Sequence, residues 1–406
     1  MNRAFQTLLA LLFFACLTYA QDSYEISRRQ ALALEGQHQY AQAEAEWQSL
    51  SRTYPKNPEP YARRALLEAR QEHYDKAIPL YRKAIELNPN VPGLRLNLAL
   101  ALFKGGHLKE SIPEFETLLK TTPPDSPDQQ RITILLGMAH YGNAEYPQAI
   151  PYLKDAETHD AQNLPLRLAL AHSCLWSKQW QCVMDVYHEI LSLNADSAEA
   201  DMLAGEALDE MKDNEGSTKM FRAAVKANPR EPNAHFGLGY LLWTQKQYPE
   251  AVTEFQAELA NDPRHAQAAL YLGDTYLQLN QPDHARPLLT KAVELNADAW
   301  LGHLDLGIID SDAGRNDQAL AELETAERLK PDEVNVHWRL GRLYRTMGRK
   351  DEAKAELDKA SKLNKAADED LFQKMNNAHP RPPASPQGDP QQPAPQQPSA
   401  PPAPQR

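Results

Sequence analysis

Along residues 74 to 90 the chain reads YDKAIPLYRKAIELNPN, with apolar side chains at Ala77, Ile78, Tyr81, Ala84 and Ile85. Steps of three and four place these on one stripe of a helix, and Pro89 marks its end. The same shape returns as YPEAVTEFQAELANDPR from 248 and PDHARPLLTKAVELNAD from 282. Each copy has an Ala three residues in, a bulky apolar residue four later, and a Pro or Ala stop. One such segment predicts an amphipathic helix, and many in series predict an architecture.

The stop residues serve as a ruler: Pro55, Pro89, Pro123, Ala161, Ala195, Pro229, Pro263, Ala297, Pro331 and Lys365. Successive gaps are 34, 34, 38, 34, 34, 34, 34, 34 and 34 residues. The single longer gap falls where TTPPDSPDQQ adds turn-forming residues. Counting each stop as slot 32, slot 8 is always small: Ala31, Ala65, Ala99, Gly137, Ala171, Gly205, Gly239, Gly273, Gly307 and Gly341. Slot 20 is small as well, from Ala43 and Ala77 to Ala319 and Ala353, except for Val183. Bulk sits at slot 24, as in Trp47, Tyr81, Phe115, Phe221 and Phe255. Small residues on facing helices let two backbones approach closely.

A 34-residue period of paired helical patterns, with LGYLL, Ala251, Phe255 and Pro263 in sequence, resembles the tetratricopeptide repeat family over residues 23 to 365. The resemblance implies an all-α fold, an α-solenoid superhelix of about ten stacked antiparallel helix pairs in which each unit shelters its neighbour's apolar stripe. Residues 21–365 are expected to form the solenoid. Residues 366–377, with Leu371, Phe372 and Met375, are expected to form a C-terminal capping helix. Residues 378–406 are Pro/Gln-rich, lack large apolar side chains, and are expected to be a disordered tail.

Residues 1–20, MNRAFQTLLALLFFACLTYA, hold one Arg, an apolar run and a small-x-small ending, as a secretory signal peptide does. The run is short of the roughly 20 residues a membrane span needs. A retained anchor and a lipid-bearing Cys16 stand as alternatives. Removal of the segment predicts an exported chain, periplasmic or extracellular and not membrane-spanning. It leaves Cys174 and Cys182, at slots 11 and 19 of one hairpin, either as a disulfide or as two buried thiols.

Chemistry is sparse. The net charge of -12 and the absence of a basic stripe argue against nucleic acid. The chain has no phosphate-binding glycine loop, no H-E-x-x-H, no nucleophile elbow and no C-x-x-C. No catalytic residue, cofactor or metal site is therefore expected. His235, His303 and His337 all fall at slot 4 and read as core or ledge positions, with no carboxylate partner in phase to suggest a metal.

If slots 4, 7, 8 and 11 of each first helix face the core, slots 2, 5, 9 and 12 lie opposite. By resemblance to the family, that side lines a concave groove for a peptide or protein partner. Early repeats place apolar residues there, including Leu66, Leu96, Leu100 and Phe103. Later repeats place Glu206, Asp209, Phe236, Tyr240, Trp243 and Asp274, and the last offers Trp338, Arg342 and Arg345. Aromatics beside carboxylates suit a peptide carrying apolar anchors and Lys or Arg. The Lys and Asn pattern by which some members hold a terminal carboxylate is missing from the first three repeats. The expected function is a non-catalytic scaffold of the cell envelope or exterior. The alternatives are a spacer acting through the tail and, least favoured, an enzyme. Oligomeric state is open.

Overall fold

The computed structural model describes residues 23–378, and among them every regular element is a helix. The expected signal segment, and all but the first residue of the expected tail, lie outside the described residues. Contacts cluster into two compact units divided after Asn261. The first holds hairpins α1 (residues 23–36) with α2 (Tyr40–Thr53), α3 (Pro58–Arg70) with α4 (Tyr74–Leu87), and α5 (Leu94–Lys104) with α6 (Leu108–Thr121). It continues with α7 (Pro127–Gly142) and α8 (Tyr146–His159), α9 (Leu164–Trp176) and α10 (Trp180–Leu193), α11 (Ala198–Glu210) and α12 (Asn214–Ala227), and α13 (Ala234–Thr244) and α14 (Tyr248–Asn261). The second unit holds α15 (Ala266–Gln278) with α16 (Pro282–Leu295), α17 (Trp300–Asp312) with α18 (Asn316–Leu329), and α19 (Val334–Thr346) with α20 (Lys350–Ala378).

Within each unit a helix packs on its hairpin partner and on the next hairpin, and first helices also meet first helices, as α9 meets α11 and α15 meets α17. This is the stacked-hairpin α-solenoid that the 34-residue phase predicts. Segment 366–377 is not a separate helix. It continues α20 without a break, because residues 361–378 contain neither Gly nor Pro to stop the backbone.

The hairpin is held by one contact repeated along the chain. A Cβ built on Gly205 would lie 2.7 Å from the Phe221 ring, on Gly239 2.8 Å from Phe255, and on Gly307 2.6 Å from Leu323. Slot 8 is therefore small because the slot-24 side chain occupies the space where its own would stand. Slot 20 meets the same place from the other side: the Ser217 hydroxyl donates to the Gly205 carbonyl at 2.8 Å. Trp47, Tyr81, Phe115 and Phe255 are wholly buried in these seams. Each is worth a few kcal/mol of apolar burial.

Between the two helices of a hairpin the chain turns through one left-handed residue, at slot 15 in every repeat. The residues are His38, Glu72, Gly106, Ala144, Lys178, Lys212, Lys246, Asn280, Gly314 and Gly348, with φ between 57° and 79°. At Lys178 the turn is closed by Lys178 N–H donating to the Leu175 carbonyl at 2.9 Å and Gln179 N–H to the Cys174 carbonyl at 2.8 Å. This is the glycine-type helix end. Side-chain residues occupy it at a cost of roughly 1 kcal/mol each, so it is carried by hairpin packing rather than by local preference. In the same hairpin Cys174 and Cys182 are joined, with Cα atoms 5.8 Å apart.

Beside that hairpin the buried Arg167 reaches Glu157 at 3.4 Å and Glu189 at 3.3 Å. Burial, then the neighbouring Glu189, pushes the Glu157 carboxyl up to about 7 against the pull of Arg167. The folded chain therefore keeps a proton that the unfolded chain sheds near 4.5, so its contribution to stability is present at the low end of this window and declines as pH rises toward 7. Urea midpoints across this window should fall with pH, and Glu157→Gln should flatten the slope; an unchanged slope in the variant would show that another group is responsible. Gly239→Ala should cost about 1–3 kcal/mol by overpacking against Phe255, read from denaturant unfolding, and a neutral outcome would contradict the close approach.

Candidate functional site

In the first unit α9, α11 and α13 lie side by side, and a cleft of about 380 Å³ opens along them. Its walls include Trp176, Trp180, Glu206, Asp209, Glu210, Phe236 and Tyr240, with Lys178 at the edge. Four of the residues expected from slots 5, 9 and 12 thus line one cavity: Glu206, Asp209, Phe236 and Tyr240. Trp243 is not in the wall but stacks on Tyr240 at 5.9 Å, which in turn stacks on Phe236 at 6.3 Å. The i, i+4 and i+3 steps of α13 produce this row of rings.

The row is fixed at its base by a residue that sequence reasoning missed. Helix α13 starts after Asn233, whose φ of 66° leaves its side chain unable to cap the first turn. Glu258 of α14, 2% exposed, accepts from Asn233 N–H at 3.1 Å and from Phe236 N–H at 3.0 Å. A carboxylate at a helix start is favoured by the exposed N–H groups there, so Glu258 sets where Phe236 and Tyr240 point. It is 22 residues from Phe236 in sequence, beyond any helical spacing signal.

Trp176 is also missing from the slot map, since slot 13 lies beyond the four slots taken as groove positions. It is 63% exposed and stacks on Tyr146 at 6.0 Å. An indole so open to solvent beside a cleft is unusual for a large aromatic residue. Glu206 opens toward solvent at the cleft, while the apolar walls beneath it push its carboxyl above the usual range, opposed by His172. A cation seated there would be met by a carboxylate whose ionisation it favours.

Asp274, Arg342 and Arg345 lie in the second unit. Asp274 is not on an open face: it is 3% exposed and accepts from Gln278 Nε2 at 3.2 Å. The helix face that is open in α13 is covered at this position in α15. Arg342 is exposed and lies over the Trp338 ring at 4.8 Å, with Arg345 exposed one turn further on. In the early repeats Leu96, Leu100 and Phe103 pack against the core around Phe115 rather than standing free.

The slot-4 histidines do have carboxylate partners in phase, contrary to the sequence reading. His235 Nδ1 is 2.6 Å from Glu254, His303 Nδ1 2.6 Å from Glu322, and His337 Nδ1 2.7 Å from Glu356. The other ring nitrogen of each meets the carbonyl of Pro229, Ala297 or Pro331 in the preceding stop. The partner comes from slot 23 of the facing helix, so no spacing within one helix reveals it. Glu327, His337 and Glu356 converge closely enough to resemble a metal set. The Lys359 ammonium lies 2.8 Å from both carboxylates, which hold it above the usual ammonium range. With both His337 nitrogens engaged as well, the cluster is a closed network joining α18 to the α19–α20 hairpin.

Family profiles described as tetratricopeptide repeat match residues 28–92, 202–266 and 247–299 in one form and 68–133 and 311–373 in another. Together they span more than half of the chain. The chain belongs to the tetratricopeptide repeat family. Among curated relatives, it is 23% identical over 283 residues to the RNA polymerase-associated protein CTR9 of Caenorhabditis elegans, covering 66% of this chain and 24% of that protein. It is 25% identical over 198 residues to the TPR repeat-containing thioredoxin TTL4 of Arabidopsis thaliana, covering 46% of this chain and 29% of that protein. The repeat protein thus spans about a quarter of the length of these relatives. Among solved structures it is similar to YrrB, a TPR protein with an unusual peptide-binding site, at 22% identity and a TM-score of 0.39, over 47% of this chain and 97% of that one. It is also similar to pilF of Pseudomonas aeruginosa, at 16% identity and a TM-score of 0.44, over 49% of this chain and 89% of that one. The tetratricopeptide fold is generally a non-catalytic scaffold for protein–protein interaction. Among the described residues no helix is long and apolar enough to cross a membrane.

Proposed function

We propose that this repeat protein is a non-catalytic scaffold that holds a peptide or protein segment in the cleft along α9, α11 and α13. The observation that carries the reading is the stacked row Phe236, Tyr240 and Trp243 beside Glu206 and Asp209. Rigid aromatics supply contact area at low entropy cost, and the carboxylates favour a segment whose apolar anchors alternate with Lys or Arg. The scaffold acts outside the cytoplasm, in the periplasm or beyond. The leader-like residues 1–20 support export, and the Cys174–Cys182 bridge suits an oxidising compartment. A spacer acting through the Pro/Gln-rich tail is the second reading, favoured only by the tail's composition.

Peptides of alternating Phe or Leu with Arg are a direct probe, against the same sequences with Glu in place of Arg. The mature chain should bind the basic set, and Tyr240→Ala with Trp243→Ala should weaken binding at least about tenfold through loss of central aromatic anchors, with the helical melt unchanged. Deletion of residues 380–406 should leave this binding intact. Equal capture by the double variant, or equal capture of the acidic set, removes the cleft from consideration. For export, N-terminal sequencing of protein from its native host should begin at Gln21; material that begins at Met1 would contradict it.

A further inference from the structure

A second cavity, of about 770 Å³, lies wholly within the second unit, against α15, α16, α17, α18 and α19. Its wall holds two buried polar atoms without partners. Asp305, 3% exposed, presents Oδ2 with no hydrogen bond, and Arg339 presents Nε with none. Asp305 stands on α17 and Arg339 on α19, and no ion pair joins them. Leaving a buried polar atom unpaired costs roughly 1–3 kcal/mol, so a carboxyl oxygen and a guanidinium N–H stranded in one cavity wall call for something to fill it.

The other charges of the cavity say which sign is welcome at Asp305. Arg286 and Arg315 also line the wall, but both are turned onto Asp310, at 2.5 Å and 2.7 Å. Asp312 and Asp283 complete the lining, and Asp274 faces Asp305 from α15. With Arg286 and Arg315 committed to Asp310, Arg339 remains beside Asp312 and Asp305. The Arg339 guanidinium lies 5.2 Å from the centre of the Trp338 ring, whose face attracts it.

We propose that this cavity is a binding site for a lysine- or arginine-type ligand, its cationic head on Asp305 and a carbonyl or carboxylate oxygen on Arg339. The pairing gives the Asp305 carboxyl a donor and the Arg339 guanidinium an acceptor. A free basic amino acid and a basic residue of a peptide share this chemistry. The site is independent of the aromatic cleft, which lies in the other unit, so neither reading rests on the other. Burial pushes the Asp305 carboxyl well up, with Asp274 adding to the effect and Arg339 opposing it. An arriving ammonium favours the ionised form of the group.

The test is calorimetric titration of the intact mature chain with L-lysine and with Nα-acetyl-L-lysine amide, using norleucine and its blocked form as uncharged controls. One or both lysines should bind and the norleucines should not. Asp305→Asn should weaken the lysine at least about tenfold, as expected for loss of a charge-assisted hydrogen bond. Binding by the blocked lysine assigns the site to a peptide residue, and binding by free lysine alone assigns it to an amino acid. Should Asp305→Asn fail to fold, the wild-type chain still decides the matter. The proposal is overturned if neither lysine binds, if norleucine binds as well as lysine, or if folded Asp305→Asn binds undiminished. Tyr240→Ala with Trp243→Ala should leave lysine binding unchanged, which separates this site from the cleft.

Discussion

The structure depends on how closely two helices of a hairpin can approach. At slot 8 a Gly or Ala lets the slot-24 side chain of the partner helix lie against the backbone, as Phe255 does on Gly239 and Leu289 on Gly273. Once the hairpin is closed, its exposed apolar stripe has only the next hairpin to cover it. Contacts therefore run between neighbours, and each repeat takes its stability from an interface as much as from itself. The left-handed residue at slot 15 follows from the same closure. It occurs at Glu72 and Lys246 as readily as at Gly106, because packing dictates the turn and the residue there tolerates it.

Within each unit first helices meet first helices, as α9 meets α11 and α17 meets α19, and one face of each stands outside the hairpin seam. Along α9, α11 and α13 that face holds a row of rings flanked by carboxylates. Glu258 ties the base of the row to the neighbouring helix, so the rings are presented by a rigid element rather than by a loop. The second unit uses its first helices differently. Asp274 is buried, while Asp305 and Arg339 are stranded in a polar cavity. The same fold thus offers an aromatic cleft in one unit and a charged cavity in the other.

The phase of the stop residues and the small residues at slots 8 and 20 were enough to define the repeat, its family and the number of hairpins. These features are local and periodic, and periodicity survives in one dimension. Four of the cleft residues were legible for the same reason, since Glu206, Asp209, Phe236 and Tyr240 follow from the face of a helix. Asp274 was misplaced because its neighbours, not its own helix, decide whether that face is open. The histidine partners Glu254, Glu322 and Glu356 went unseen because each lies 19 residues away on a facing helix. The end of α20 was misjudged because nothing in residues 361–378 interrupts it.

By itself the sequence determined that this chain builds helical hairpins in a fixed register, because hydrophobic spacing and the demand for small residues at close contacts act along the chain. Only the tertiary structure decided which outward faces remain open, which carboxylates find a partner, and where Asp305 Oδ2 and Arg339 Nε are left without a hydrogen bond. Those outcomes depend on distances between helices that are far apart in sequence, and no spacing along a single helix encodes them.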